Sequence, residues 1–277
     1  MTASTPKPAR PAVVRIPKRA VNGILLLDKP TGISSNAALQ AVKRLYRAEK
    51  AGHSGNLDPL ATGMLAICFG HATRLCEYLL EADKCYQVVA TLGVQTDSAD
   101  ADGLPINTAA FTHVTAQTLA SVLPQFIGEI QQVPPMVSAL KHEGKRLYEL
   151  AREGITVERP ARNTTIYDIT LDAFTGDTFT LTVRCSKGTY IRTLVEDIAA
   201  ALDTLAHVKT LRRLYLGGFD PTMVSLETLS DLTESERDNA VLPSACAVSD
   251  WPQVIAGIEA VDAIRHGNAV RLNNTPR

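Results

Sequence analysis

The stretch Gly52-His53-Ser54-Gly55-Asn56-Leu57-Asp58-Pro59-Leu60-Ala61-Thr62-Gly63-Met64-Leu65-Ala66 constrains this chain more tightly than any other. Pro59 locks its own φ and drives Asp58 into extended or turn geometry. Gly52, Gly55 and Gly63 stand on either side. Glycine tolerates backbone angles that other residues avoid and lets a ligand come close. The local chemistry therefore predicts one carboxylate held rigidly on a loop that a large ligand can touch. A lone Asp-Pro marks an ordinary turn, but the full string is too specific for that reading alone.

Around this loop the chain alternates strand and helix signals. Gly23 to Asp28 is a short apolar run expected to form a buried strand. Ser34 or Ser35 can cap a helix to about Tyr46, with Ala38, Val42 and Leu45 on one face. Further strands are expected over 85–94, 166–174, 179–185 and 208–216, and helices over 116–126, 145–152 and 190–202. No regular βαβ rhythm appears, so the fold class is α+β.

Several function classes are excluded. No apolar run is long enough to cross a bilayer, and no hydrophobic signal core opens the chain. The protein is therefore expected in the cytoplasm, with no membrane partner. Five scattered cysteines show no C-x-x-C spacing, and the histidines complete no zinc pattern, so no metal is expected. Asp97 to Gly103 fails as an EF-hand loop because Ser98 and Ala109 fall where carboxylates are required, which leaves a polar turn or a substrate-contacting loop. Gly52-His53-Ser54-Gly55 misses the spacing of a nucleophile elbow. A net charge of −1 rules out nucleic-acid binding by bulk charge, though not by a local basic groove.

Read together, these strings resemble the bacterial TruB-type pseudouridine synthases. The likeness rests on Gly23 to Pro30, the Asp58 loop, Asp83-Lys84-Cys85-Tyr86, Thr96-Asp97 with Asp100 to Gly103, Pro134 to Lys141, Cys185 to Leu194, and Leu211-Arg212-Arg213-Leu214. They occur in family order from about Val21 to Gly217. The resemblance implies a pseudouridine synthase fold, a mixed and mainly antiparallel sheet with flanking helices. It also implies three regions: a flexible basic tail over 1–20, a catalytic domain over 21–250, and a shortened C-terminal PUA-like segment over 251–277.

The implied activity is isomerisation of a specific uridine in the T-loop of tRNA, position 55, to pseudouridine. The reaction breaks the C1′–N1 bond, turns the base and rejoins it through C5, with no redox change and no cofactor. By resemblance Asp58 is the essential carboxylate; attack at C1′ and a glycal route both stay open. Arg192 is its cationic partner, as a buried carboxylate requires. Tyr86 stacks on the target base and helps move the C5 proton. Tyr190 and Leu211 line the uracil pocket. His53 fills the space left by the flipped base, a move costing roughly a few kcal/mol. Lys29, followed by Pro30, belongs to the substrate-binding set, with bracing of the loop as its alternative role.

Lys141, Lys145, Arg146, Arg152, Arg212 and Arg213 are candidates to hold phosphates, so activity should weaken as salt rises. The expected partner is the tRNA T-arm, acted on by a monomer with no obligate protein partner. A tRNA-folding chaperone role is compatible with the same residues. Asn56, where many relatives carry threonine or alanine, is expected to matter little.

Overall fold

A computed structural model describes residues 17–271. In chain order it comprises β1 (Gly23–Lys29), α1 (Ser35–Leu45), β2 (Ala51–His53), β3 (Thr62–Phe69), α2 (Cys76–Glu81), β4 (Lys84–Leu92), β5 (Val94–Thr96), β6 (Pro105–Thr108) and α3 (Ala116–Val122). It continues with β7 (Gly128–Gln132), β8 (Lys141–His142), β9 (Lys145–Arg146), α4 (Leu147–Arg152), β10 (Arg162–Phe174), β11 (Thr178–Cys185), α5 (Ile191–Ala200) and β12 (Ala206–Leu216). The last elements are β13 (Val224–Ser225), α6 (Leu226–Asp231), α7 (Glu234–Asn239) and α8 (Ile258–Arg265).

The main sheet has nine strands in the order β13-β1-β3-β12-β4-β11-β10-β7, with β2 also paired to β3. The β1–β13 and β12–β3 pairs are parallel and the rest antiparallel, so the sheet is mixed and mainly antiparallel. Strands β1 and β3 are buried on both faces. Leu25, Leu27, Leu65, Ile67 and Phe69 point into one core, while Ile24, Leu26, Met64, Ala66 and Cys68 point into another. This two-sided burial explains why β1 reads as an unbroken apolar run. Each leucine, isoleucine, methionine or phenylalanine among them contributes about 1.5–3 kcal/mol when fully buried. Helices α1 and α5 cover the first core with Ala38, Leu39, Val42, Leu194, Val195 and Ile198.

Several local expectations shift. Residues 62–66 belong to a strand, which narrows the loop itself to 54–61. The helix expected over 116–126 tightens into a 3-10 turn from Leu123, because Pro124 has no N–H to continue the ladder. Lys145 and Arg146 pair with His142 and Lys141 as a hairpin, and the helix starts only at Leu147.

The tail expected over 1–20 lies outside the described residues up to 16, but Arg19 belongs to the fold. Its N–H donates to the Arg47 carbonyl at 2.8 Å, its carbonyl accepts from Glu49 at 3.0 Å, and its guanidinium pairs with Glu234 and Asp238. Among the described residues beyond 250 there is one helix, α8, and no strand. Ile258, Val261 and Ile264 recur every third residue there, a spacing that suits a helix better than a strand.

Candidate active site

The Asp58 loop is moulded by the segment just before and at the start of α1. Ser34 caps that helix by accepting the Ala37 N–H. Ahead of it, Lys29 Nζ donates to the carbonyls of Pro30 at 2.8 Å, Ala61 at 2.8 Å and Pro59 at 3.4 Å. Thr31 donates to the Leu60 carbonyl at 3.0 Å, and the Gly32 N–H donates to the Pro59 carbonyl at 2.8 Å. Ser35 holds Leu57, and the Asp58 carbonyl accepts from Ala61 at 3.1 Å. The loop carbonyls from 57 to 61 are thus all satisfied from within the protein, as buried backbone demands.

Lys29 is fully buried, and burial lowers its pKa to about 8, with Asp58 opposing the shift and Arg213 adding to it. The side chain is enclosed with its ammonium on three carbonyls of the protein. Of the two roles expected of Lys29, this geometry is that of a brace for the loop.

Arg192 enters from the first turn of α5, two residues after Tyr190 at the N-cap. Its Nε lies 3.0 Å from Asp58 Oδ2, Nη1 donates to the Ser98 carbonyl at 2.9 Å, and Nη2 donates to the Val137 carbonyl at 2.8 Å. Asp100 Oδ2 stands 3.9 Å from Nη1. The side chains of Arg192 and Asp100 are 4% and 7% exposed, whereas that of Asp58 keeps 37%. Asp58 is thus the accessible member of a buried charge cluster. Burial of the carboxylate raises its pKa above the ordinary value. Arg192 and Lys29 pull it down; Asp100 and Asp102 push it up.

Asp100 was not singled out as a site residue from sequence. Its signal lies in the Asp97 to Gly103 string, which fails as a calcium loop, reads as a polar turn or substrate-contacting loop, and carries part of the family likeness. What sets it apart is burial, with its carboxylate taken up by the Ser98 hydroxyl, the Asp102 N–H and Arg192.

Tyr86 lies on β4, opposite Val183 of β11 and Arg213 of β12. Burial raises its phenol pKa, against the pull of Arg213. Tyr190 is held by Gln132, which accepts its N–H at 2.9 Å and donates to its carbonyl at 3.2 Å. Its phenol is raised by burial, with Ser138 and Arg192 opposing. The Asp58 charge adds to the upward shift of both phenols. Leu211 pairs with Val88 two residues before Arg213 and is largely enclosed in the core. His53 sits toward Arg213, with Nδ1 3.1 Å from the Gly55 carbonyl; burial lowers its pKa and keeps the ring neutral.

Two phosphate candidates are spoken for. Arg212 makes a bidentate pair with Asp28 at 2.9 and 2.8 Å. Arg213 is buried at 1% exposure. Lys141 and Lys145 are exposed on the β8–β9 hairpin, and the Arg152 guanidinium lies 5.4 Å over the Tyr148 ring.

A family model described as TruB family pseudouridylate synthase (N terminal domain) matches residues 43–191. A second, described as tRNA pseudouridylate synthase B C-terminal domain, matches residues 192–249. A protein of Vibrio cholerae serotype O1 named tRNA pseudouridine synthase B is 49% identical over 269 residues, covering 93% of this chain and 86% of its own. A namesake from Neisseria meningitidis serogroup B is 50% identical over 256 residues, covering 92% and 83%. Among solved structures, a chain from the crystal structure of a Cbf5-Nop10-Gar1 complex is similar with a TM-score of 0.70 at 30% identity, over 88% of this chain and 67% of that one.

Proposed function

Since the chain belongs to the TruB family of pseudouridylate synthases, we propose that it isomerises the T-loop uridine at position 55 of tRNA to pseudouridine, with Asp58 as the essential carboxylate. The observation that carries this reading is the accessible Asp58 carboxylate, 3.0 Å from a buried guanidinium on a loop whose backbone is fully braced. Arg192 favours the ionised form of this carboxylate against the burial that raises its pKa, and the braced loop keeps it from drifting.

The chemistry asks for little else. Asp58 acts at the sugar as the C1′–N1 bond breaks, either on C1′ itself or by taking a proton toward a glycal. Arg192 holds the negative charge in place. Tyr86 stacks on the flipped base, Tyr190 and Leu211 line its pocket, and Tyr86 receives the C5 proton after the new C1′–C5 bond forms. The neutral His53 ring stacks where the base has left the RNA. Exposed cations such as Lys141 and Lys145 hold the backbone. Residues 21–250 act as one catalytic unit, a reading supported by the pairing of β13 with β1 in the main sheet. The protein works as a cytoplasmic monomer on the T-arm without an obligate protein partner.

The test is conversion of an unmodified T-arm hairpin, mapped by chemical labelling of pseudouridine. The native protein should convert one loop uridine, while Asp58→Asn should bind the hairpin with unchanged affinity and convert none. Conversion by Asp58→Asn would sink the assignment. Binding and refolding of the hairpin by both proteins, with conversion by neither, would favour a purely RNA-folding role.

A further inference from the structure

Arg213 is the largest fully buried side chain among the described residues. Its Nε donates to the Met64 carbonyl at 2.6 Å, but its Nη2 has no hydrogen-bond partner. Among the described residues the guanidinium makes no ion pair, and its charge bears on two other enclosed cations, Lys29 and Lys84. A buried charge without a counter-ion opposes folding, and such arrangements concentrate at functional sites.

The surroundings say what the charge can reach. Gly63 pairs in parallel with Arg213, and a Cβ built on Gly55 would stand 4.0 Å from Nη1, so the Asp58 loop roofs the guanidinium. No RNA touches a side chain sealed in this way, so Arg213 can act only through a neighbour. Tyr86 is that neighbour. The two residues are direct partners in the β12–β4 ladder, in continuous register from Leu211 to Arg213, so their side chains share one face. Tyr86 is 8% exposed, against 1% for Arg213.

We propose that Arg213 is a positioning residue for the isomerisation: sealed beneath the Asp58 loop, it orients the Tyr86 oxygen and stabilises negative charge on it. This rests on the reading of Tyr86 as the acceptor of the C5 proton. In that step the C5–H bond breaks and its electron pair forms the C5–C6 double bond. The displaced C6–N1 π pair moves to N1, which takes a proton from solvent. The C5 proton ends on the Tyr86 phenolate and later returns to solvent. Arg213 favours the phenolate, whereas burial, Asp58 from the loop and Cys185 from β11 oppose it.

The experiment uses the full chain labelled with 3-fluorotyrosine, the Tyr86 fluorine resonance being assigned with Tyr86→Phe. Single-turnover conversion of the T-arm hairpin is followed against pH for the native protein, Arg213→Met and Arg213→Lys. Arg213→Met should keep its hairpin affinity and its thermal midpoint and lose at least about tenfold in rate, the equivalent of one pKa unit. Its Tyr86 resonance should titrate at higher pH, and the alkaline rise of rate, above the acidic limb set by Asp58, should move the same way. Arg213→Lys, which keeps the charge, should recover most of the rate.

A slow Arg213→Met whose Tyr86 titration is unmoved overturns the proposal, and so does a native rate with unmoved titration. A displaced titration with a native rate instead overturns the proton role of Tyr86. If Arg213→Met does not fold, Arg213→Gln takes its place under the same criteria. Failure of both to fold overturns the proposal by making Arg213 structural.

Discussion

The Ser35 hydroxyl grips Leu57 from both sides, accepting its N–H at 2.8 Å and donating to its carbonyl at 3.1 Å. Ser35 is the first residue of α1 and Leu57 immediately precedes Asp58, so a single side chain ties the start of a helix to the reactive loop.

Ser35→Ala should therefore cost both stability and rate. It strands a buried donor and a buried acceptor, worth about 1–3 kcal/mol. Urea unfolding measures the first effect. The second should appear as a fall in the conversion rate with hairpin affinity retained, since Asp58 is displaced while the RNA-facing cations are untouched. An alanine variant with native stability would show that Ser35 does not carry the loop.

Asp100 should set the pH at which the enzyme switches on. Conversion requires ionised Asp58, so the rate rises with pH as that group loses its proton. Asp100 raises the Asp58 pKa and Arg192 lowers it. Asp100→Asn removes the first influence and leaves Arg192 to Asp58 alone. The acidic limb of the rate profile should then move to lower pH, whatever happens to the maximum rate. A limb displaced upward would contradict this electrostatic account.

Two glycines with similar backbone angles should respond differently to alanine. Gly63, at φ +95°, would place a Cβ 2.2 Å from the Arg213 carbonyl oxygen and 2.9 Å from its nitrogen. Gly32, at φ +80°, has nothing within 4 Å of the same position. Gly63→Ala forces two paired strands apart and should cost about 3 kcal/mol or more. Gly32→Ala meets only backbone strain, about 1–2 kcal/mol. Equal losses in denaturant unfolding would show that the close β3–β12 approach is not what demands glycine at position 63.

Local pattern made some elements plain. The apolar run of β1, the serine cap of α1 and the hairpin of β10 and β11 are written in neighbouring residues. Strand β3 was hidden because Gly63 and Thr62 read as loop, although Gly63 pairs with both Lys29 and Arg213. Its neighbours Met64 to Phe69 are buried on both faces, so no alternation marks them.

The site was legible to the same extent. The sequence alone determined which residues are present to react: a proline-locked aspartate, a tyrosine opening a strand, and an arginine opening a helix. Those features are local, set by the covalent limits of Pro59 and by short-range spacing. Only the tertiary structure decided which charges are exposed and which are sealed. It buried Lys29 on three carbonyls, brought Asp100 to Arg192 across 92 residues of chain, and left Arg213 without a counter-ion beside Tyr86. Burial and charge pairing arise from long-range strand order, and they fix whether a basic residue meets RNA, braces a loop or tunes a neighbour.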